Sequence, residues 1–203
     1  MSEKLWLWLV AGPNGAGKST FVPELSAAIT QIIGPDAIAE QLLPIAPEKA
    51  ALPAGREAIR QIRESLRARR SFAIETTLSG RFHFQIAQSA RSQGWNVGLV
   101  YIGLRSPELA IERVQQRRRT GGHHVPAADV RRRYERSLRN LPLFFRLADA
   151  VFVLDNSAAK HPMRMVLEAR WGKFTLGARR LPSWLRVSLK AIRRRRPKGN
   201  QKR

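Results

Sequence analysis

The stretch Leu5–Phe21, LWLWLVAGPNGAGKSTF, restricts the fold of this chain more than any other. Leu5 to Ala11 is a compact apolar run suited to a buried strand. It opens into G-x-x-x-x-G-K-[ST], with Gly12, Gly17, Lys18 and Ser19 at the fixed positions. Glycines there let backbone N–H groups turn inward around a phosphate. The lysine can reach the outer phosphates, and the serine hydroxyl can ligate Mg²⁺. Ser19–Ile29 has helical spacing and aims its positive end at the same anion. Gly12, Pro13, Asn14, Gly15, Ala16, Gly17, Lys18, Ser19 and Thr20 are therefore expected to form a nucleotide site.

Downstream, strands and helices alternate. Gln31–Ile33 is a short apolar piece ending at Gly34-Pro35-Asp36. The spacing predicts a helix over Arg56–Arg70, a strand over Ser71–Glu75, a helix over Phe82–Gln93 and a buried strand over Asn96–Gly103. A helix capped by Ser106-Pro107-Glu108 runs toward Arg119. After the glycine-rich break at 120–126 a second basic helix extends to Asn140, and Ala150–Leu154 reads as the last clear strand. This order implies a three-layer α/β fold of the P-loop NTPase or kinase kind, with a mainly parallel central sheet. Ligands of such sheets bind at the carboxyl ends of the strands. Gly12–Ser19, Asp36, Glu75–Thr77 and Asp155-Asn156 each follow a strand, in agreement with that rule.

Charge divides the chain unevenly. Of 37 Lys and Arg residues, 13 lie between Ala169 and Arg203, where no acidic residue occurs, within a net charge of +22. We therefore expect a domain over 1–170, with a lid around 113–135, and a separate basic tail over 171–203. In that tail Trp184, Leu185, Leu189 and Ile192 share one face of a basic amphipathic helix, which can lie on nucleic acid or on anionic lipid. The chain has no cysteine, which suits a reducing cytoplasm. No apolar stretch approaches the roughly 20 residues that span a bilayer, and the N-terminal run reads as a core strand, not a signal peptide.

A GTPase would need an N-K-x-D guanine reader, which is missing. The Leu78-Ser79-Gly80 mimic of an ABC signature is followed by Arg81-Phe82-His83-Phe84 instead of an apolar strand ending in Asp-Glu. GPNGAGKST, the Gly-Pro-Asp36-Ala-Ile-Ala motif, SFAIETTLSG and GGHHVPAADVRRRYERSLRNL together resemble the zeta-toxin-like kinases, in order over about residues 5–170. The resemblance implies Mg·ATP-dependent phosphorylation of a hydroxyl on a small acceptor, with UDP-N-acetylglucosamine the acceptor of the toxins; an antitoxin protein is a candidate partner. By motif position Asp36 resembles the family's base, Glu75 and Thr77 its acceptor-site Glu-x-Thr, and Arg113 its phosphate-sensing arginine. Thr76 departs from the toxins, which tend to carry glycine there, and the lid is the longer form of chromosomal relatives.

Catalysis is thus expected from Asp36, Lys18, Arg113 and Arg118, acceptor binding from Glu75, Thr77 and Arg81, and metal ligation from Ser19. His123-His124 lacks a third ligand at metal spacing and reads as part of the lid. Asp155-Asn156-Ser157 is expected near the adenine or as a turn. The competing classes are a non-catalytic nucleotide-dependent binder of nucleic acid or membrane surfaces, and a kinase of polynucleotide ends.

Overall fold

The computed structural model describes residues 4–26, 29, 31–119 and 125–193. The Gly121-Gly122 hinge, the histidine pair and residues 194–203 lie outside the described residues.

Strand β1 (Trp6–Ala11) is the centre of the sheet, and its neighbours show why the chain has to cross over it. β3 (Phe72–Thr76) pairs with it on one side and β4 (Asn96–Gly103) on the other, both parallel. β2 (Ile32–Ile33) lies outside β3, and β5 (Ala150–Asp155) outside β4, again parallel. β4 is buried along its whole length, which explains its unbroken run of apolar and small residues. Strand order therefore reverses at β1, and the crevice at its carboxyl end is where ligands bind in such sheets. The helices α1 (Lys18–Ser26), α2 (Pro35–Leu42), α3 (Ala51–Arg67), α4 (Phe82–Ser92), α5 (Pro107–Arg119) and α6 (Ala127–Leu147) occupy the crossovers. One face of the sheet buries Leu7, Leu9, Phe72 and Ile74 beneath α3 and α4. The other buries Val100, Ile102 and Leu154 against α5 and α6. The mainly parallel three-layer fold is present as expected.

The C-terminal division is corrected. The sheet continues past β5 into β6 (Arg164–Arg170) and β7 (Lys173–Leu176), both antiparallel, so Ala150–Leu154 is not the last strand and residue 170 is no boundary. Trp171 and Gly172 join these strands with φ of 51° and 77°, a two-residue turn of the kind whose twist suits a hairpin. The amphipathic helix expected in the tail exists as α7 (Ser183–Arg193), but its apolar face is seated on the domain. Trp184 and Leu185 are buried in the same core as Leu99 and Phe144. Trp184 lies flat against Gly103, where an added Cβ would sit 2.2 Å from the indole, and donates to Asp155 at 3.3 Å. Burying that face removes more apolar area from water than a free tail could.

Candidate functional site

The loop after β1 takes its shape from three glycines. Gly12, Gly15 and Gly17 have φ of 149°, 73° and 91°, values that side chains other than glycine's rarely adopt. Each is also crowded. A Cβ on Gly12 would meet the Ile102 carbonyl at 2.2 Å, and one on Gly17 would meet Met163 and Asn156 below 3 Å. Among the described residues, the amides of Gly15, Gly17, Lys18 and Ser19 donate to no protein acceptor. Four such N–H groups at a helix N-terminus form a cradle for an anion, so the loop fits the phosphates of a nucleotide.

Lys18, Ser19, Glu75 and Asp36 converge beside that cradle. Lys18 is buried, donates to the Pro13 carbonyl at 3.2 Å, and stands 4.0 Å from the Glu75 carboxylate. Ser19 Oγ donates to the same carboxylate at 3.3 Å. Burial pushes the Lys18 ammonium below its ordinary range, opposed by the charges of Glu75 and Asp36. Burial likewise pushes Glu75 up, opposed by Lys18, while Asp36 pushes it further up. Two carboxylates therefore share one field with the loop lysine. Their approach is built by β2 and β3, which end side by side. Gly34 lies so close to Glu75 that a Cβ there would stand 3.4 Å from the glutamate Cβ. Asp36 follows in the first turn of α2, behind Pro35 at the helix start.

Arg113 on α5 reaches back toward the Gly15 carbonyl at 3.5 Å, and burial lowers its pKa. Arg117, one turn on, acts on both Lys18 and Glu75, and Arg133 of α6 acts on Lys18. Arg118 is not brought to this cluster. It lines a small cavity between α5 and α6 with Ile111, Val114 and Val125, because consecutive helical residues point about 100° apart. Thr77 binds Ser79 through their hydroxyls at 2.9 Å, and Arg81 is exposed at the start of α4. Among the described residues, neither hydrogen-bonds to Glu75 or forms an ion pair with it.

Asn156 has a place that spacing does not disclose. Its amide donates to the Ala16 carbonyl at 2.9 Å across 140 positions of sequence, and its oxygen accepts from the Met163 amide at 3.4 Å. It braces the phosphate loop from the end of β5. His83 was equally hidden. Its Nδ1 lies 3.1 Å from the Thr76 hydroxyl, and burial lowers its pKa to about 4. Asn156 directly follows β5, which is its one signal in the sequence, whereas His83 lies in the first turn of α4, seven residues past the end of β3. Leu78, between Thr76 and His83 in the β3–α4 turn, is fully buried with φ of 59°. Its N–H is held by Thr76 Oγ1 and its carbonyl by Asn140, bonds that offset the strain of a left-handed leucine.

A glycine-rich cradle at the carboxyl end of the central parallel strand, with lysine and serine opening the next helix, defines the P-loop NTPase class. Residues 7–140 match the model of the AAA domain family, and the chain belongs to that family. An uncharacterized protein of Haemophilus influenzae is 34% identical over 137 residues, covering 65% of this chain and 98% of its own length. Among solved structures, the AvrRxo1-ORF1:-ORF2 complex with ATP superposes with a TM-score of 0.72 at 17% identity. It covers 93% of this chain, which spans 64% of that chain's length. The PezAT chromosomal toxin-antitoxin system of Streptococcus pneumoniae gives 0.56 at 17% identity, over 95% of this chain and 87% of that one. A putative kinase from Chloroflexus aurantiacus gives 0.57 at 14%, over 79% and 92%. These likenesses concern the fold.

Proposed function

We propose that the protein is an ATP-dependent phosphotransferase acting on a hydroxyl of a small acceptor. The observation that carries this reading is the meeting of Lys18, Ser19, Glu75 and Asp36 beside the loop. An anion cradle and two carboxylates at one crevice supply what phosphoryl transfer needs, namely charge neutralisation at the phosphates and a base at the acceptor. Asp36 takes the acceptor's proton as its oxygen bonds to the γ-phosphorus. The bond from that phosphorus to the β,γ-bridging oxygen breaks, and ADP leaves with the electron pair. Lys18 holds the β- and γ-oxygens, while Arg113 and Arg117 face the same phosphates from α5. Ser19 and Glu75 are the residues that would hold Mg²⁺, whose charge would favour the pentavalent geometry.

The zeta-toxin-like motifs support a UDP-activated amino sugar as one acceptor, and they and the neighbouring toxin-antitoxin fold support an antitoxin-like partner protein acting in the cytoplasm. Among the described residues no helix is long and apolar enough to cross a membrane.

In the Asp36→Asn variant, turnover with labelled ATP and a panel of hydroxyl compounds should fall by about 10²–10⁴-fold. ATP binding, followed by equilibrium dialysis, should stay within about threefold. Undiminished turnover by Asp36→Asn would remove Asp36 as the base. No turnover by the wild-type chain on any acceptor would favour a nucleotide-dependent binder.

The basic surplus supports a second, independent contact with polyanions. Residues 194–203 carry six of the 13 basic residues after Leu167 and Glu168. Deleting them should flatten the log–log salt dependence of binding to duplex DNA by about 5. An unchanged slope in a fluorescence anisotropy titration would exclude those residues as the contact.

A further inference from the structure

On the far side of the β2–β3 carboxyl ends, a cavity of about 210 Å³ lies between α2, α3 and the start of α4. Its walls are apolar. Ile59 and Ile62 come from α3, Phe82 and His83 from α4, and Pro35 and Ile74 from the residues that immediately precede Asp36 and Glu75. Pro35 leads directly into Asp36 at the start of α2, so the proposed base follows the cavity wall in the chain, whereas Glu75 projects from β3 to the face opposite Ile74. A 150 Å³ apolar cavity is enough to admit benzene, so this one accommodates a six-membered ring with substituents.

Two features mark the cavity as more than a packing fault. Gly55 stands in the interior of α3, where glycine is less stable than alanine. No neighbouring atom lies within 4 Å of where its Cβ would be. Crowding therefore does not account for it, and its missing side chain opens onto the cavity it lines. The second feature is the polarity of His83. The Thr76 hydroxyl oxygen accepts from the Leu78 N–H at 3.0 Å and stands 3.1 Å from His83 Nδ1. The hydroxyl proton finds its acceptor when Nδ1 is the bare ring nitrogen. In that tautomer the ring proton sits on Nε2, which is then a donor oriented from the backbone through Thr76.

We propose that this cavity binds the uncharged, apolar carbon skeleton of the hydroxyl acceptor, with His83 Nε2–H donating to one oxygen or nitrogen on it. The proposal rests on the phosphotransferase reading, and in place of the charged UDP-activated amino sugar, which these apolar walls do not suit, it names the acceptor as a small, largely apolar alcohol. Thr76 stands where the zeta toxins tend to carry glycine, so this orientation of His83 is a property of this chain, not of that motif.

The experiment uses the full chain without nucleotide and follows isoleucine δ1-methyl NMR signals while benzyl alcohol is added. The expected result is saturable shifts at Ile59, Ile62 and Ile74, weakened at least tenfold in Gly55→Leu, whose side chain enters the cavity. His83→Phe should weaken benzyl alcohol about 3- to 10-fold and leave toluene unchanged, because toluene has no atom for the Nε2–H. Retained far-ultraviolet circular dichroism and ATP binding would show that both variants fold. No saturable shift in the wild-type chain, or equal affinity in a folded Gly55→Leu, overturns the proposal. Failure of the kinase reading looks different, since benzyl alcohol would then bind as described while no alcohol was phosphorylated.

Discussion

Replacing Lys18 by alanine is expected to lower phosphoryl transfer by about 10³-fold or more, an effect near 4 kcal/mol on the barrier. Lys18 is the one cationic side chain of the Gly12–Ser19 loop, and it is buried between the Pro13 carbonyl and the Glu75 carboxylate. A cation at that position is worth much more to the developing charge than it would be in water, because the site is poorly solvated. Arginine would not rescue the loss, since its planar fork is too large for a cradle shaped around one ammonium. The fold itself should survive, because burial disfavours the lysine's charge and its removal relieves that cost. Thermal melting beside a radiolabelled transfer assay separates the two effects. Near-normal transfer by a folded Lys18→Ala protein would remove the phosphotransferase assignment.

Trp184→Ala is expected to cost about 3–5 kcal/mol of stability, the range for removing a buried tryptophan. That loss should lower the melting temperature by about 10 °C in a chain of this size. The indole fills the space left by Gly103, stacks obliquely on Tyr101 at 5.9 Å, and is tied to Asp155. Ser188 on the same helix donates to the Leu138 carbonyl at 3.2 Å. Truncation after Leu181 removes all of these contacts together with fully buried Leu185, and should leave a chain that unfolds at ordinary temperatures or aggregates. Asp155 and Asn156 are adjacent, so loosening α7 should also loosen the brace on the phosphate loop. Urea unfolding of the point variant and nucleotide binding to it give both measurements. A loss under about 1 kcal/mol would mean that α7 is not seated on the sheet.

Much of this architecture follows from sequence alone, for reasons that are local. The apolar run Leu5–Ala11 suits a buried strand once a phosphate loop and a helix follow it. The glycines at 12, 15 and 17 require left-handed backbone, whatever the rest of the chain does. Alternation of period-3.6 and apolar segments yields the parallel sheet, and that sheet obliges Asp36 and Glu75 to emerge at the same end as the loop. Other features depended on contacts between distant segments. Arg117 and not Arg118 acts on Lys18 and Glu75 because of how α5 is rotated on the sheet. Asn156 reaches Ala16, and His83 reaches Thr76, only after β5 and α4 are docked. Composition made residues 171–203 look like an electrostatic appendage, and a Trp-Gly pair is a weak hairpin signal. The sheet's free edge beside β5 and the gap above Gly103 decided otherwise, because an unpaired strand and an uncovered apolar face are more costly in water than ordering the segment that covers them.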